Sequence, residues 1–150
     1  MRVVIQRVLK SIVKSKEKVI SQIGTGLVLF VGVEIEDNEE DADWLTEKIV
    51  NLRIISDDTG KMNKSLKDTN QDVLVISQFT LHAKTKKGNR PSFIKSANRE
   101  DALFLYNYFI ERLQSKLNVK VKTGKFGADM NVNLINNGPV TIFIDSKQKE

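Results

Sequence analysis

The pattern of apolar and polar positions predicts that the chain begins with β-structure. Residues 3–10 alternate with a period of two and are rich in β-branched side chains, which is typical of a strand. Two short strands are predicted to continue from it, at residues 11–13 and 18–23. The apolar run LVLFVGV at residues 27–33 then has the length and composition of a strand that is buried on both faces.

Two segments have the period of amphipathic helices. The first is predicted to begin between Asn38 and Asp41, where a side chain can cap the helix and acidic residues complement its dipole. Its apolar face consists of Ala42, Leu45, Ile49 and Leu52. The second helix is predicted from about Arg99 to Leu117. Its buried side consists of Ala102, Leu105, Tyr106, Phe109, Leu113 and Leu117.

Strand composition returns four times in the second half of the chain. The four segments are 73–77, 119–123, 130–135 and 140–145. The turn residues at 136–139 predict a hairpin between the last two strands, and residues 61–71 are predicted to be irregular. Two main helices among about eight strands predict a single α+β domain over residues 1–150. Its mixed, curled sheet would form a barrel-like core or two packed layers.

Composition excludes several kinds of site. The chain has no cysteine and one histidine, His82, which excludes disulfides, thiolate nucleophiles and His-rich or Cys-based metal sites. We therefore expect neither a metal nor a cofactor. No apolar stretch is long enough for a signal peptide or a membrane span, so a cytoplasmic protein is expected.

The charge is unevenly distributed along the chain. The net charge is +5, yet residues 34–43 hold seven acidic residues and no Lys or Arg, so the rest of the chain is strongly basic. Four of its cations lie in one predicted loop, namely Lys84, Lys86, Lys87 and Arg90. Such a loop is a candidate contact for the phosphates of a polyanion such as a nucleic acid, and a merely solvated basic surface is the alternative.

The segment SQFTLHA, residues 77–83, is the first candidate for chemistry, because a buried strand runs there directly into polar residues. No familiar nucleophile, phosphate-binding or metalloprotease motif occurs in the chain. A hydroxyl nucleophile would need His82 as its base. On an extended chain, Thr80 and His82 would point the same way about 6.6 Å apart, but no residue can be named that orients the histidine. Hydrogen bonding at a strand end remains the simpler interpretation of Ser77 and Thr80.

The segment NNGPVT, residues 136–141, is the second candidate. A simple hairpin turn is one interpretation, because few X–Pro bonds in folded proteins are cis. A cis Gly138–Pro139 bond is the other. It would present two consecutive carbonyls in a fixed orientation, and these could bind an ammonium group without any side chain.

The two segments, in this order and spacing, closely resemble the signature motifs of the D-aminoacyl-tRNA deacylase family of bacteria and most eukaryotes. The resemblance extends over nearly the whole chain, through MRVVIQRV, GTGLVLFVGV, DDTGKMNKSL, KKGNRPSF and FGADMNVNL. Small departures occur at Asn137, Ile55 and Asn70-Gln71, where the family more often has Asp, Phe and Gly. None of these positions is one to which we assign chemistry.

The resemblance implies how the substrate is bound. It implies a homodimer whose active site lies at the subunit interface, with a cis Gly138–Pro139 bond that reaches into the partner's pocket beside residues 77–80. The two carbonyls would bind the α-amino group and exclude L side chains by collision. Arg7 would support that loop, and Met130 would also belong to the substrate-binding site.

The resemblance also implies the reaction, which is hydrolysis of the ester of D-aminoacyl-tRNA to free amino acid and tRNA. The catalytic segment would be Ser77, Gln78, Phe79 and Thr80, with main-chain N–H groups that polarise the ester carbonyl. The terminal 2′-hydroxyl of tRNA would assist the attack, and glycyl-tRNA mischarged on tRNA(Ala) would be a second substrate. The alternatives are an esterase or amidase with a Thr nucleophile and a non-catalytic RNA-binding protein. The latter would be expected to carry evenly spaced exposed aromatics, which the strands lack.

Overall fold

A computed structural model describes residues 1–149 of the chain. Over this range it has eight strands, three α-helices and one 3-10 helix. The strands are β1 (Arg2–Ser15), β2 (Lys18–Ile23), β3 (Gly26–Gly32), β4 (Ile55–Ser56), β5 (Met62–Lys64), β6 (Asp72–Ser77), β7 (Val121–Thr123) and β8 (Asn131–Asp145). The helices are α1 (Glu39–Asn51), α2 (Leu66–Thr69), the 3-10 helix Phe79–His82, called here the 79–82 turn, and α3 (Arg99–Ser115).

Six strands form one mixed sheet, in the order β2-β1-β3-β6-β7, with β8 paired to β1. The β1 strand is antiparallel to β2, β3 and β8, whereas β3, β6 and β7 are mutually parallel. Because β2 also lies against β6 and β7, the sheet curls into a nearly closed barrel. The predicted α+β fold with a mixed, curled sheet is therefore confirmed. The short strands β4 and β5 form a separate two-stranded sheet.

The two faces of the sheet are buried in different ways. One face packs with α1 and α3 around residues such as Leu29, Leu45 and Phe109, all fully buried. The other face closes on itself inside the curl, around residues such as Val28 and Leu74. Consecutive residues of β3 therefore enter different cores, which is why its sequence is apolar throughout. No helix within residues 1–149 is long and apolar enough to span a membrane.

The predicted start of the first helix is confirmed. The Asn38 side chain accepts hydrogen bonds from the N–H groups of Glu40 and Asp41, and the Asp41 carboxylate accepts one from the Asn38 N–H. This reciprocal capping box satisfies amides that the first turn leaves without intrahelical partners. The α3 helix begins in a similar way, because Asn98 accepts a hydrogen bond from the Asp101 N–H.

Two predicted breaks between strands were wrong, one after residue 10 and one at residues 136–139. The β1 strand is continuous over Arg2–Ser15 and turns into β2 through Lys16 and Glu17, both at positive φ. The β8 strand is also continuous, and both of its halves pair antiparallel with β1. Residues 136–139 are therefore not the turn of a hairpin. Asn, Gly and Pro can mark a bulge as well as a turn, because both need unusual backbone angles and unpaired amides.

The predicted irregular segment, residues 61–71, contains β5 and α2. The short helix is stabilised by a capping box between Ser65 and Asp68. It ends at Asn70, which has a φ of 50°. Asparagine tolerates this left-handed conformation better than most residues, so it can end the helix here.

Candidate active site

A cavity of about 560 Å³ opens where β3 and β6 end. Its wall contains Ser77, Gln78 and Phe79 from the first candidate segment. Met130, directly before β8, and Val132, within β8, also line it. The remaining lining residues are Val31, Val33, Ile76, Ser96, Ala97, Arg99, Ala102, Tyr106, Phe126, Gly127, Ala128 and Asp129.

The 79–82 turn begins directly after β6, and its position depends on Gly32. A Cβ atom on Gly32 would lie 2.9 Å from the Gln78 carbonyl oxygen and 3.1 Å from the Leu81 Cβ atom. Only glycine lets the turn pack this closely on the end of β3. From the other side, the Arg2 guanidinium donates a hydrogen bond of 2.9 Å to the Leu81 carbonyl and one of 2.8 Å to Asp145.

The first two N–H groups of the turn are free. Within the described residues, the amides of Phe79 and Thr80 donate no hydrogen bond, and Gln78 provides no side-chain cap. The later amides are paired, since Leu81 donates to the Gln78 carbonyl and Ala83 to the Thr80 carbonyl. Phe79 and Thr80 are both exposed. Two unpaired donors at the edge of a cavity can bind an anionic oxygen or a polarised carbonyl.

The Thr80 and His82 side chains do not form a catalytic pair. The Gln78 side-chain amide donates a 2.5 Å hydrogen bond to the Thr80 hydroxyl. The His82 imidazole is fully buried, and its Nδ1 lies 3.9 Å from a Glu34 carboxylate oxygen. Because the segment forms a tight 3-10 turn and not an extended strand, Thr80 faces solvent and His82 faces the interior. The extended geometry considered from the sequence was therefore wrong.

Burial lowers the pKa of His82, although the Gly32 backbone and the Glu34 carboxylate oppose the shift. Neither ring nitrogen has a hydrogen-bond partner among residues 1–149. The neutral His82 ring therefore packs beneath the 79–82 turn, and it does not line the cavity.

Met130 is fixed at the opposite side of the cavity by its own loop. Its sulfur accepts a hydrogen bond of 3.3 Å from the Lys125 N–H. A Cβ atom on Gly124 would lie 2.8 Å from the same sulfur, so the loop closes tightly over the thioether. The side chain is held at the wall of the cavity as a result.

The second candidate segment protrudes from β8 as a wide bulge. Asn136 pairs with Val8 and Thr141 with Gln6, so the four intervening residues of β8 lie opposite Arg7 alone. The Asn136 side-chain amide closes the base of the bulge by donating to the carbonyls of Arg7, at 3.0 Å, and Val140, at 2.9 Å.

The buried Arg7 guanidinium connects the bulge to the rest of the protein. It donates to the Asn137 carbonyl at 3.1 Å, to the Ile54 carbonyl at 2.8 Å and to the Ser56 hydroxyl at 3.3 Å. The bulge is therefore fixed against the segment that follows α1. A buried guanidinium with several acceptors provides a rigid support, because its planar fork sets the direction of each bond.

Gly138 and Pro139 form the exposed tip of the bulge, and the peptide bond between them is cis. Gly138 has a φ of 131°, and a Cβ atom there would lie 3.0 Å from the Arg7 guanidinium. Neither residue lines the cavity of its own chain. The two candidate segments thus lie on separate surfaces of the chain.

Comparisons with known proteins show the family of the chain. The model of the family D-Tyr-tRNA(Tyr) deacylase matches residues 4–145. The chain belongs to the D-Tyr-tRNA(Tyr) deacylase family. Relatives named D-aminoacyl-tRNA deacylase, from Flavobacterium psychrophilum and Phocaeicola vulgatus, are 55% and 54% identical over 150 residues and cover 100% of both chains.

Two solved structures share the fold of this D-Tyr-tRNA(Tyr) deacylase family member. One, described as c-Myc DNA Unwinding Element Binding Protein, has a TM-score of 0.92 and 39% identity, over 97% of this chain and 98% of that chain. The other, described as a probable eukaryotic D-amino acid tRNA deacylase, has a TM-score of 0.80 and 17% identity, over 95% and 97%. At that identity, the second likeness concerns the fold alone.

The basic loop of this family member, residues 84–90, is exposed to solvent. Its base is closed by a backbone bridge, in which Lys84 and Ser92 exchange hydrogen bonds of 2.8 and 3.0 Å. All four cations of the loop are exposed, and none forms an ion pair within the described part of the chain. They are free to contact an anionic ligand.

Sequence reasoning missed the part of the cavity that α3 contributes. Arg99 and Ala102 line the cavity from the first turns of α3, and Ser96 does so from the preceding segment. Tyr106 also lies there, and its hydroxyl donates a 3.0 Å hydrogen bond to the Val75 carbonyl. Burial raises the pKa of Tyr106 well above its ordinary value.

Only the similarity of FGADMNVNL to the family motif was a signal for the wall of the cavity that contains Met130. For α3, helical periodicity indicated a buried face but not a site.

Proposed function

We propose that this chain hydrolyses the ester bond between a D-amino acid and the 3′ end of tRNA, and that it releases free amino acid and tRNA in the cytoplasm. The observation that carries the proposal is the pair of adjacent N–H groups of Phe79 and Thr80, which have no acceptor within residues 1–149, at a turn whose Phe79 lines the cavity. Membership of the family supports the same substrate class. The pure protein should deacylate D-tyrosyl-tRNA and leave L-tyrosyl-tRNA intact. Binding of both without release would instead indicate a non-catalytic RNA-binding protein.

In this mechanism, the two N–H groups bind the carbonyl oxygen of the ester. Negative charge develops on that oxygen as the tetrahedral intermediate forms. Donors that are already oriented stabilise the charge without any reorganisation of the site. Ser77 and Gln78 belong to the same catalytic segment, and Gln78 orients the Thr80 hydroxyl.

The nucleophile is water, and the terminal 2′-hydroxyl of the tRNA assists its attack. The buried His82 does not line the cavity and so cannot serve as the base. The Thr80 hydroxyl accepts a hydrogen bond from Gln78 and has no basic partner that would activate it. A hydroxyl without such a base is a weak nucleophile.

Chirality is read by a second subunit in a homodimer. Gly138 and Pro139 extend from one subunit into the cavity of the partner, where their carbonyls bind the α-amino group of the substrate. Their exposure on a rigidly supported bulge, outside their own cavity, supports this placement. An L side chain would collide with the bulge, whereas glycine has none. Glycyl-tRNA mischarged on tRNA(Ala) is therefore a second substrate.

We predict that Thr80→Ala retains substantial deacylase activity. The substitution removes the hydroxyl but keeps the main-chain N–H that binds the ester oxygen. The kcat for D-tyrosyl-tRNA should fall by less than about tenfold, since only a side-chain hydrogen bond is lost. Complete loss of activity, together with an acyl-enzyme that can be trapped on the wild type, would favour a threonine nucleophile instead.

The basic loop is proposed to bind tRNA phosphates through Lys84, Lys86, Lys87 and Arg90. The double variant Lys86→Glu and Lys87→Glu should raise KM and reduce the dependence of KM on salt, because fewer counterions are released on binding. The same double change at Lys16 and Lys18, on the turn between β1 and β2, is the matched control. If both pairs alter the salt dependence equally, the loop contributes only to the overall charge.

A further inference from the structure

Residues 93–97, called here the strap, contact Phe79 at two points. The Phe93 ring packs edge-on against the Phe79 ring, with 5.0 Å between the centroids. The Ser96 hydroxyl donates a hydrogen bond of 3.1 Å to the Phe79 carbonyl oxygen. The strap thus contacts both the side chain and the main chain of the first residue in the 79–82 turn.

The backbone of the strap is itself fixed to the end of β3. The Ile35 N–H donates to the Lys95 carbonyl, and the Ala97 N–H donates to the Val33 carbonyl, both at 3.1 Å. The Ser96 N–H donates to the Phe93 carbonyl at 2.9 Å. Because backbone hydrogen bonds of the neighbouring residues flank Ser96 on both sides, its hydroxyl is held in place where it contacts the 79–82 turn.

The Phe79 carbonyl and the Thr80 N–H belong to the same planar peptide group. In a trans peptide the C=O and N–H bonds point in opposite directions, so a partner on the oxygen also sets the direction of the N–H. The Thr80 N–H has no acceptor of its own within residues 1–149.

We propose that Ser96 is a positioning residue, which aims the Thr80 N–H at the ester oxygen through the Phe79–Thr80 peptide. This inference rests on the proposed function, in which that N–H stabilises the oxyanion. Ser96 acts through the peptide and takes no part in the bond changes. Its loss should therefore affect the transition state more than the bound substrate.

The test compares Ser96→Ala with Ser96→Thr. Ser96→Ala should lower kcat for D-tyrosyl-tRNA about 3- to 10-fold with little change in KM, the size expected for one lost hydrogen bond. Ser96→Thr keeps the hydroxyl and should restore most of kcat. Ser115→Ala is the matched control, because Ser115 donates a similar hydrogen bond, of 2.8 Å, to the Arg112 carbonyl at the end of α3.

A second measurement does not depend on catalysis. The nuclear magnetic resonance signal of the Thr80 amide should shift and broaden in Ser96→Ala, recover in Ser96→Thr and stay unchanged in Ser115→Ala. An unchanged Thr80 signal, or a rise in KM with kcat intact, would overturn the positioning role. If the wild type releases no D-amino acid, the proposed function fails, while the amide signal still decides whether Ser96 orients this peptide.

Discussion

Replacing Phe79 with proline should lower kcat for D-aminoacyl-tRNA by about 100-fold or more, the usual effect of removing one oxyanion donor. Proline lacks an N–H and is tolerated at the first position of a helical turn. The preceding residue, Gln78, has a φ of −145° and a ψ of 80°, and so it is not helical. It thus lies outside the α region, which a following proline disfavours. The fold should therefore survive while one proposed donor disappears.

Phe79→Ala is the matched control for this substitution. It removes the same aromatic ring, which packs against Phe93, but it keeps the N–H. Single-turnover kinetics should place Phe79→Ala much closer to the wild type than Phe79→Pro. If the two variants lose activity equally, the ring and not the main-chain amide is what matters, and the proposed oxyanion site is wrong.

Gly138→Ala should abolish deacylation almost completely while the protein stays folded. The backbone at Gly138 has a φ of 131°, and the new Cβ atom would lie 2.8 Å from a Val140 methyl carbon and 3.0 Å from the Arg7 guanidinium. A side chain at such an angle is strained by about 1–3 kcal/mol. The bulge can relieve the strain only by moving, which would displace the carbonyls that are proposed to bind the α-amino group.

Gly60→Ala is the matched control, because it introduces similar backbone strain at a glycine outside the bulge. Gly60 also has a positive φ, of 83°, but a Cβ atom there would meet nothing within 4 Å. Thermal unfolding should show a similar small loss of stability in both variants, whereas deacylation should be lost only in Gly138→Ala. Full activity of Gly138→Ala would contradict the proposed role of the bulge.

Much of the fold could be predicted from the sequence because local chemistry and packing agree there. Asn38 is a good helix cap, and the acidic residues behind it suit the start of α1. The continuous apolar run of β3 fits a strand that is covered on both faces. In these segments, one kind of local structure satisfies both the backbone and the burial of side chains.

The site was harder to predict because its geometry depends on contacts that are distant in sequence. The 79–82 turn exists because Gly32 allows close packing and because Arg2 binds the Leu81 carbonyl. The bulge in β8 is closed by Asn136 and Arg7, which lie 129 residues apart. A local pattern cannot tell a bulge from a hairpin turn when the deciding partner lies at the other end of the chain.

The proposed site acts mainly through main-chain groups, which would explain why the sequence lacks a familiar catalytic motif. The groups proposed to act are two main-chain N–H groups, which every residue except proline has, and two carbonyls, which every residue has. What the sequence specifies is their orientation, through glycines, a proline, an arginine and a few hydrogen-bonding side chains. Local sequence indicated the two segments, the family resemblance implied their roles, and the structure shows the contacts that orient them.

The most direct test of the account uses two inactive subunits that carry different defects. Phe79→Pro and Gly138→Ala chains with different C-terminal tags can be co-expressed, and the heterodimer isolated through both tags. In a symmetric dimer, one of its two sites would combine an intact turn with an intact bulge. We predict that this heterodimer regains about half of the wild-type kcat per dimer on D-tyrosyl-tRNA, because one site of two is restored. A heterodimer as inactive as both parents would contradict the claim that each active site is built from two subunits.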